Sequence, residues 1–414
     1  MIDGRALRAR MVNALAAAGR IRSPRVAAAF QAVPRAMFVP HVDLPRAYQD
    51  EAIVTRWDGD GRPLSSSSQP TIMAIMLEQL GVEPGHRVLE IGAGTGYNAA
   101  LLGHLVGPTG HVVSLDIDQD VTQEAREHLD RAGIANVEVI AADGADGWQP
   151  AAPYDRIILT ASTRDIAPAW VAQLVDEGRI VVPLSLRGMQ CSVALQHAGR
   201  HLSSTSIVGC GFMPLRGSFA GADASRPLGV PGAFVVAEGN RVADPASLRA
   251  ALASPGPPIA AQHMEVADAE IMGGLGLWIM LHDPDAALLT AVGSAVETQL
   301  LPVSLPFPGM TIAVAVLGDH GLATLARRRQ ESPTAGNLGL VVQPFGSNAE
   351  EPVRRLLAHV KDWAANGRLS TADLTIRVYP RPEAGCVDSG SAPVIDLPHT
   401  RLVLDFANPT GRTI

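Results

Sequence analysis

Apolar and polar positions change period several times along the chain, and the changes mark its elements. Near the N-terminus Leu7, Met11 and Leu15 recur at helical spacing, with Arg8, Arg10, Arg20 and Arg22 interrupting or flanking them. That spacing predicts an amphipathic helix rather than an export signal. Helical character runs to about Val33, broken at Ser23-Pro24. Residues 34–69, rich in Pro, Asp and Ser, have no period and read as loop. A helix follows over 71–80, stopped by Gly81.

Strands and helices then alternate. Apolar runs at 86–91, 111–115, 137–141, 156–160 and 179–183 read as strands, and 97–106, 118–132 and 166–175 as helices. This order predicts an α/β fold with a parallel sheet covered on both faces. Two further runs, 191–196 and 204–209, extend it at one edge.

Residues 216–232 lose all periodicity, so a linker is expected at 218–232. Beyond it the strand-like runs are 310–317, 339–344, 374–379 and 401–406, with one helix at 350–366. Its apolar stripe is Val353, Leu356, Leu357, Val360 and Trp363, and Ser347 stands three residues before Glu350, a capping-box spacing. The expected organisation is a first domain over 1–217 and a second α/β domain over 233–414.

Composition narrows the functional classes. The chain has 414 residues, 47 % apolar and 18 % charged, which excludes a disordered chain and allows two or three domains. A net charge of −8 argues against nucleic-acid binding, and all basic residues but Lys361 are arginine. Cys191, Cys210 and Cys386 lie far apart, a pattern that fits a reducing cytoplasm better than a disulfide or zinc framework. No apolar run approaches the 20 or so residues of a membrane span. His282, Asp283 and Asp285 have no zinc-site spacing and read as turn residues, so no metal is expected.

Residues 88–97, V-L-E-I-G-A-G-T-G-Y, carry the strongest chemical signal. An apolar strand enters a turn with Gly92, Gly94 and Gly96 at alternate positions, separated by Ala93 and Thr95, and then a helix. Glycine there permits a sharp turn and close approach of a ligand to backbone amides. A dinucleotide fingerprint would need glycine at position 97, where this chain has Tyr97. Asp116 ends the next strand, where a carboxylate can accept both hydroxyls of a ribose. Ala142-Asp143-Gly144 closes the third strand within reach of an adenine, and Glu90 adds another carboxylate near the first turn. Acidic groups at successive strand ends favour a cationic adenosyl ligand over an anionic pyrophosphate.

These residues resemble a class I S-adenosylmethionine-dependent methyltransferase, specifically the protein-L-isoaspartate O-methyltransferase family. Val33-Pro34-Arg35 with Phe38-Val39-Pro40, Ala47-Tyr48-Gln49-Asp50, Ser68-Gln69-Pro70, Asp176-Glu177-Gly178 and the segment 212–217, F-M-P-L-R-G, match its motifs in order over about 1–217. The resemblance implies a Rossmann-like domain with a mostly parallel seven-stranded sheet, and S-adenosyl-L-methionine as methyl donor, leaving S-adenosyl-L-homocysteine. It implies a peptide or protein substrate carrying aspartyl or isoaspartyl carboxylates. Ser68 is then the residue at the reacting carboxylate, with Asp50, Ser66, Ser67 and Gln69 around the substrate. Glu90, Gly92, Ala93, Gly94, Thr95, Gly96, Asp116, Ala142, Asp143 and Gly144 hold the donor. The methyl ester formed would collapse to a succinimide and open to aspartate or isoaspartate.

Two departures stand out. Where the family has Thr-Ile before the substrate-loop serine, this chain has Ser66-Ser67, which changes the shape of the substrate pocket. The long C-terminal half is the other. Extended members of this kind accompany ribosomally made peptides, so the expected substrate is one dedicated precursor peptide recognised by the second domain. General repair of isoaspartyl proteins is the alternative, and a catalytically silent peptide-binding protein the second alternative.

Overall fold

Strands that are apolar at consecutive positions require cover on both faces, because successive side chains point to opposite sides. A computed structural model describes residues 3–59, 63–221, 225–238, 244–267, 270–298, 300–301, 305–307, 310–327, 339–381 and 392–406. Two strands precede the main sheet: β1 (Ile53–Trp57) and β2 (Pro63–Ser67) form a hairpin. The main sheet begins with β3 (Arg87–Ile91), β4 (His111–Asp116), β5 (Val137–Ala141), β6 (Tyr154–Leu159) and β7 (Leu174–Leu186), all parallel in the order β7-β6-β3-β4-β5. Next to β7, β8 (Met189–Ala198) and β9 (His201–Gly209) add two antiparallel strands. These seven strands are the expected Rossmann-like sheet, and the crossings beside β3 open its carboxyl edge as a ligand crevice.

Alternate residues of each strand feed two cores. Val88, Val112 and Val181 pack with Phe30, Phe38, Leu77 and Leu101 under the N-terminal helices. Their neighbours Leu89, Val113 and Ile180 face the other way, into a core that runs on through Trp170 to Trp278, Leu356 and Trp363. That second core is shared with the C-terminal half.

The C-terminal half contains a second, antiparallel sheet built from β10 (Ser225–Pro227), β11 (Ala233–Val236), β12 (Ile259–Glu265), β13 (Ala286–Val292), β14 (Leu305–Phe307), β15 (Met310–Leu317), β16 (Gly321–Arg327) and β17 (Gly339–Gly346). The chain does not stay there. β18 (Leu374–Pro380) pairs with β9, and β20 (Thr400–Phe406) and β19 (Val394–Asp396) follow, so the main sheet has ten strands among the described residues.

Several expectations need correction. Residues 34–69 are not simply loop, since they hold the β1–β2 hairpin. Its second strand is mostly serine and lacks the apolar alternation that would reveal it. The helix expected at 166–175 is only Pro168–Ala172, because β7 already begins at Leu174. The helix Glu350–Ala365 starts from Ala349 without a side-chain cap, so Ser347 is no capping-box residue. Asp283, buried, accepts from both Arg355 and His359, which ties that helix to the turn before β13. Cys386 lies outside the described residues. No helix among them is long and apolar enough to cross a membrane, and none of their His, Cys, Asp and Glu groups forms a metal cluster.

Candidate active site

At the carboxyl edge of β3 and β4 a cavity spans about 790 Å³ of open space including its mouth. Its floor is the turn after β3. Gly92 has φ +104°, and a Cβ there would stand 2.3 Å from the Thr160 hydroxyl, so only glycine lets β3 pass β6 so closely. Gly94 has φ +50°, and a Cβ would meet the Ser66 carbonyl at 3.2 Å. The second glycine therefore lets the serine hairpin close over the turn.

The amides of this turn are largely committed. Those of Gly92 and Ala93 donate to the Leu115 carbonyl at 2.7 and 2.9 Å, and that of Gly94 to Asp116 Oδ2 at 3.1 Å. The sequence pattern presented them as ligand donors, yet here they hold β3 to β4. The polar group offered to the cavity is instead Asp116. Burial raises its carboxyl pKa, and the Gly94 and Asp118 amides and the Arg216 guanidinium, 3.7 Å away, work against that rise.

Of the residues expected to hold the donor, Gly92, Ala93, Gly94, Thr95, Asp116 and Gly144 line the cavity. Gly96, Ala142, Asp143 and Glu90 do not. Glu90 is wholly buried beneath the turn, accepting from Asn98 Nδ2 at 2.7 Å and from the Ser114 hydroxyl. Burial pushes its carboxyl up to about 7 against those two hydrogen bonds. It braces β3, β4 and the helix Tyr97–Val106 from below. Asp143 is turned to the amides of Ala145 and Ser218, at 3.0 and 2.7 Å. Partial burial alone would raise its carboxyl, but these bonds outweigh it and hold the carboxyl below the ordinary value.

The opposite wall is β2 and its continuation, with Ser66, Ser67 and Ser68 lining the cavity. Asp50 and Gln69 do not reach it. Gln69 Nε2 donates to Asp50 Oδ2 at 3.2 Å, and Asp50 also accepts from the Thr71 amide and hydroxyl at 2.8 and 2.7 Å. Asp50 thus pins the start of the helix Pro70–Leu80 to the chain leading into β1, an ordering role outside the cavity.

Arg35 was visible in the sequence only as part of a matched motif, and its role is larger. Its side chain is fully buried, and its guanidinium donates to the carbonyls of Ala47, Gln49, Glu51, Ser67 and Ser68 at 2.9–3.2 Å, and to the Ser67 hydroxyl at 3.4 Å. One planar fork binds both loops that frame the cavity, which a lysine could not copy. A buried guanidinium surrounded by carbonyls could have been suspected from an arginine inside an otherwise apolar stretch, V-P-R-A-M-F.

An adenosyl ligand fits this donor set. Asp116 offers a carboxylate to paired hydroxyls, the turn's glycines let a ligand come close, and the Gly92, Ala93 and Gly94 amides that could receive a pyrophosphate are already bonded. The Arg216 guanidinium stands beside that carboxylate.

Comparison with known proteins agrees with this chemistry. A family described as protein-L-isoaspartate(D-aspartate) O-methyltransferase matches residues 6–219. The protein-L-isoaspartate O-methyltransferase of Methanopyrus kandleri is 39 % identical over 215 residues, covering 51 % of this chain and 92 % of its own length. That of Methanoregula boonei is 41 % identical over 212 residues, 51 % of this chain and 94 % of its own. A solved protein-L-isoaspartate O-methyltransferase has a similar fold, with a TM-score of 0.50 and 24 % identity over 89 % of this chain and 96 % of that one.

Proposed function

Because the chain belongs to the protein-L-isoaspartate (D-aspartate) O-methyltransferase family, a family of carboxyl methyltransferases that use S-adenosyl-L-methionine, we propose that it methylates isoaspartyl carboxylates of proteins and peptides. The observation that carries the reading is one cavity holding Asp116 on one wall and Ser68 on the other.

When bound, S-adenosylmethionine supplies an electrophilic methyl on a sulfonium sulfur. Asp116 holds and orients the ligand's hydroxyls. Ser68 donates a hydrogen bond to the substrate carboxylate and fixes which oxygen faces the methyl. A carboxyl of this kind titrates at about 4 and is ionised at neutral pH, so no residue need take a proton. Alignment and exclusion of water are what the chain contributes. Arg35 keeps Ser68 in place from behind.

Repair-type action on many isoaspartyl substrates has more support than action on one dedicated precursor peptide. The curated relatives named above are isoaspartate methyltransferases, and a solved one matches the fold of this chain well past residue 217. The C-terminal half is therefore no mark of a peptide-dedicated enzyme. Initial rates on several unrelated isoaspartyl peptides test this. Comparable kcat/KM across them supports the repair reading, and turnover of only one sequence defeats it.

A further inference from the structure

The cavity wall formed by residues 212–219 has no regular secondary structure beyond one bridge from Pro214 to Ser162. Met213, Pro214, Leu215 and Arg216 line the cavity. A coil in that position keeps its shape only if something outside it removes its freedom, at a cost that otherwise falls on ligand binding.

Hydrogen bonds to Ser162, Gln190 and Asp143 hold part of the coil's backbone, and Phe219 adds an aromatic contact from outside. Its ring stacks on His399, with centroids 5.2 Å apart and planes at 25°, and meets Trp170 edge-on at 5.3 Å. Trp170 Nε1 in turn donates to the Gly144 carbonyl at 2.8 Å, and Gly144 lines the cavity. His399 belongs to the turn between β19 and β20, far along the chain. That turn is anchored by the buried Asp165, whose carboxylate accepts from the His399 amide at 2.8 Å, the Thr400 hydroxyl at 2.5 Å and the Ile166 amide at 2.8 Å.

We propose that the C-terminal segment 392–406 is part of the scaffold of the methyl-donor site. His399, seated by Asp165, props Phe219, and Phe219 with Trp170 holds two sides of the cavity, so both Phe219 and His399 are positioning residues that set affinity for the donor. This rests on reading the cavity as the donor pocket. It gives the C-terminal half a task distinct from peptide recognition. Neither ring touches the cavity, and no charge is exchanged, so the effect runs entirely through preorganisation.

The test is calorimetric titration of the full chain with S-adenosylhomocysteine, paired with initial rates on an isoaspartyl peptide. His399→Ala and Phe219→Ala should each weaken binding about three- to ten-fold, the scale of one aromatic pair, and leave KM for the peptide unchanged. His399→Tyr, which keeps a ring over Phe219, should restore the affinity. Phe219→Leu, which keeps apolar volume without the ring, carries the test should Phe219→Ala fail to fold. Unchanged donor affinity in the folded variants overturns the proposal. So does a rise in peptide KM alone, which would return the segment to substrate recognition, or a His399→Tyr variant as weak as His399→Ala. An unaltered chain that binds no S-adenosylhomocysteine overturns the donor-pocket reading itself.

Discussion

The Arg35 guanidinium donates to the Ser68 carbonyl at 3.0 Å from a position with no solvent exposure. A buried charge thus supports the backbone of Ser68, the residue proposed to face the substrate. Desolvation lowers the Arg35 pKa, and five carbonyls with one hydroxyl accept its hydrogen bonds in place of water. Removal of the side chain leaves those carbonyls buried without donors. Arg35→Met should lose about 3–5 kcal/mol of stability, measured by denaturant unfolding. Arg35→Lys keeps the charge but not the fork, and should fold while losing most of its isoaspartyl kcat.

Ser68→Ala separates substrate alignment from donor binding. A hydrogen bond to a charged group contributes about 1.5–3 kcal/mol, so kcat/KM for an isoaspartyl peptide should fall about ten- to a hundred-fold. Binding of S-adenosylhomocysteine, followed by calorimetry, should not change.

Asp116→Asn should do the reverse. It removes the charge proposed to face the donor and takes from the Arg216 guanidinium the carboxylate that stands 3.7 Å away in the native chain. Donor KM should rise at least about ten-fold, with peptide KM unaltered.

Much of this was legible in the sequence. The five parallel strands and the helices Tyr97–Val106 and Gln119–Ala132 announce themselves through mostly apolar runs, glycine stops and the Asp118 cap. The glycine turn and Asp116 follow from their place at strand ends. What stayed hidden depends on contacts between distant residues. The β1–β2 hairpin is fixed by pairing and by Arg35, not by its own serine-rich pattern. Glu90 and Asp143 look like ligand groups by position, yet their oxygens are taken by Asn98 and Ser114 and by Ala145 and Ser218. The return of β18, β19 and β20 to the main sheet has no local signal, because a strand's pattern does not name its neighbour.

Gly94→Ala tests the closeness of hairpin and turn. The residue sits at φ +50°, and the added methyl would press on the Ser66 carbonyl. The backbone term alone costs about 1–2 kcal/mol. Displacement of β2 should lower isoaspartyl methylation by a larger factor than the loss of stability explains, seen by comparing rates with thermal unfolding.

Glu90 gives a pH signature. Its folded pKa is raised from 4.5 to about 7. The folded state therefore binds the extra proton between those values, and stability falls as pH rises from about 4.5 to 7 and is level above. Glu90→Gln removes that slope. Unfolding free energies measured across this range should show the variant gaining on the parent as pH rises, by at most about 3 kcal/mol at pH 8.

The most direct test of the central claim offers the purified chain S-adenosylmethionine with two synthetic peptides of one sequence, identical but for an isoaspartyl or aspartyl residue at a single position. Mass spectrometry under mildly acidic conditions, where the ester survives, reads the product. A single methyl ester on the isoaspartyl peptide, and none on its aspartyl twin, is the predicted result. Methylation of the aspartyl peptide in its place, or of neither while the donor is bound, would contradict it.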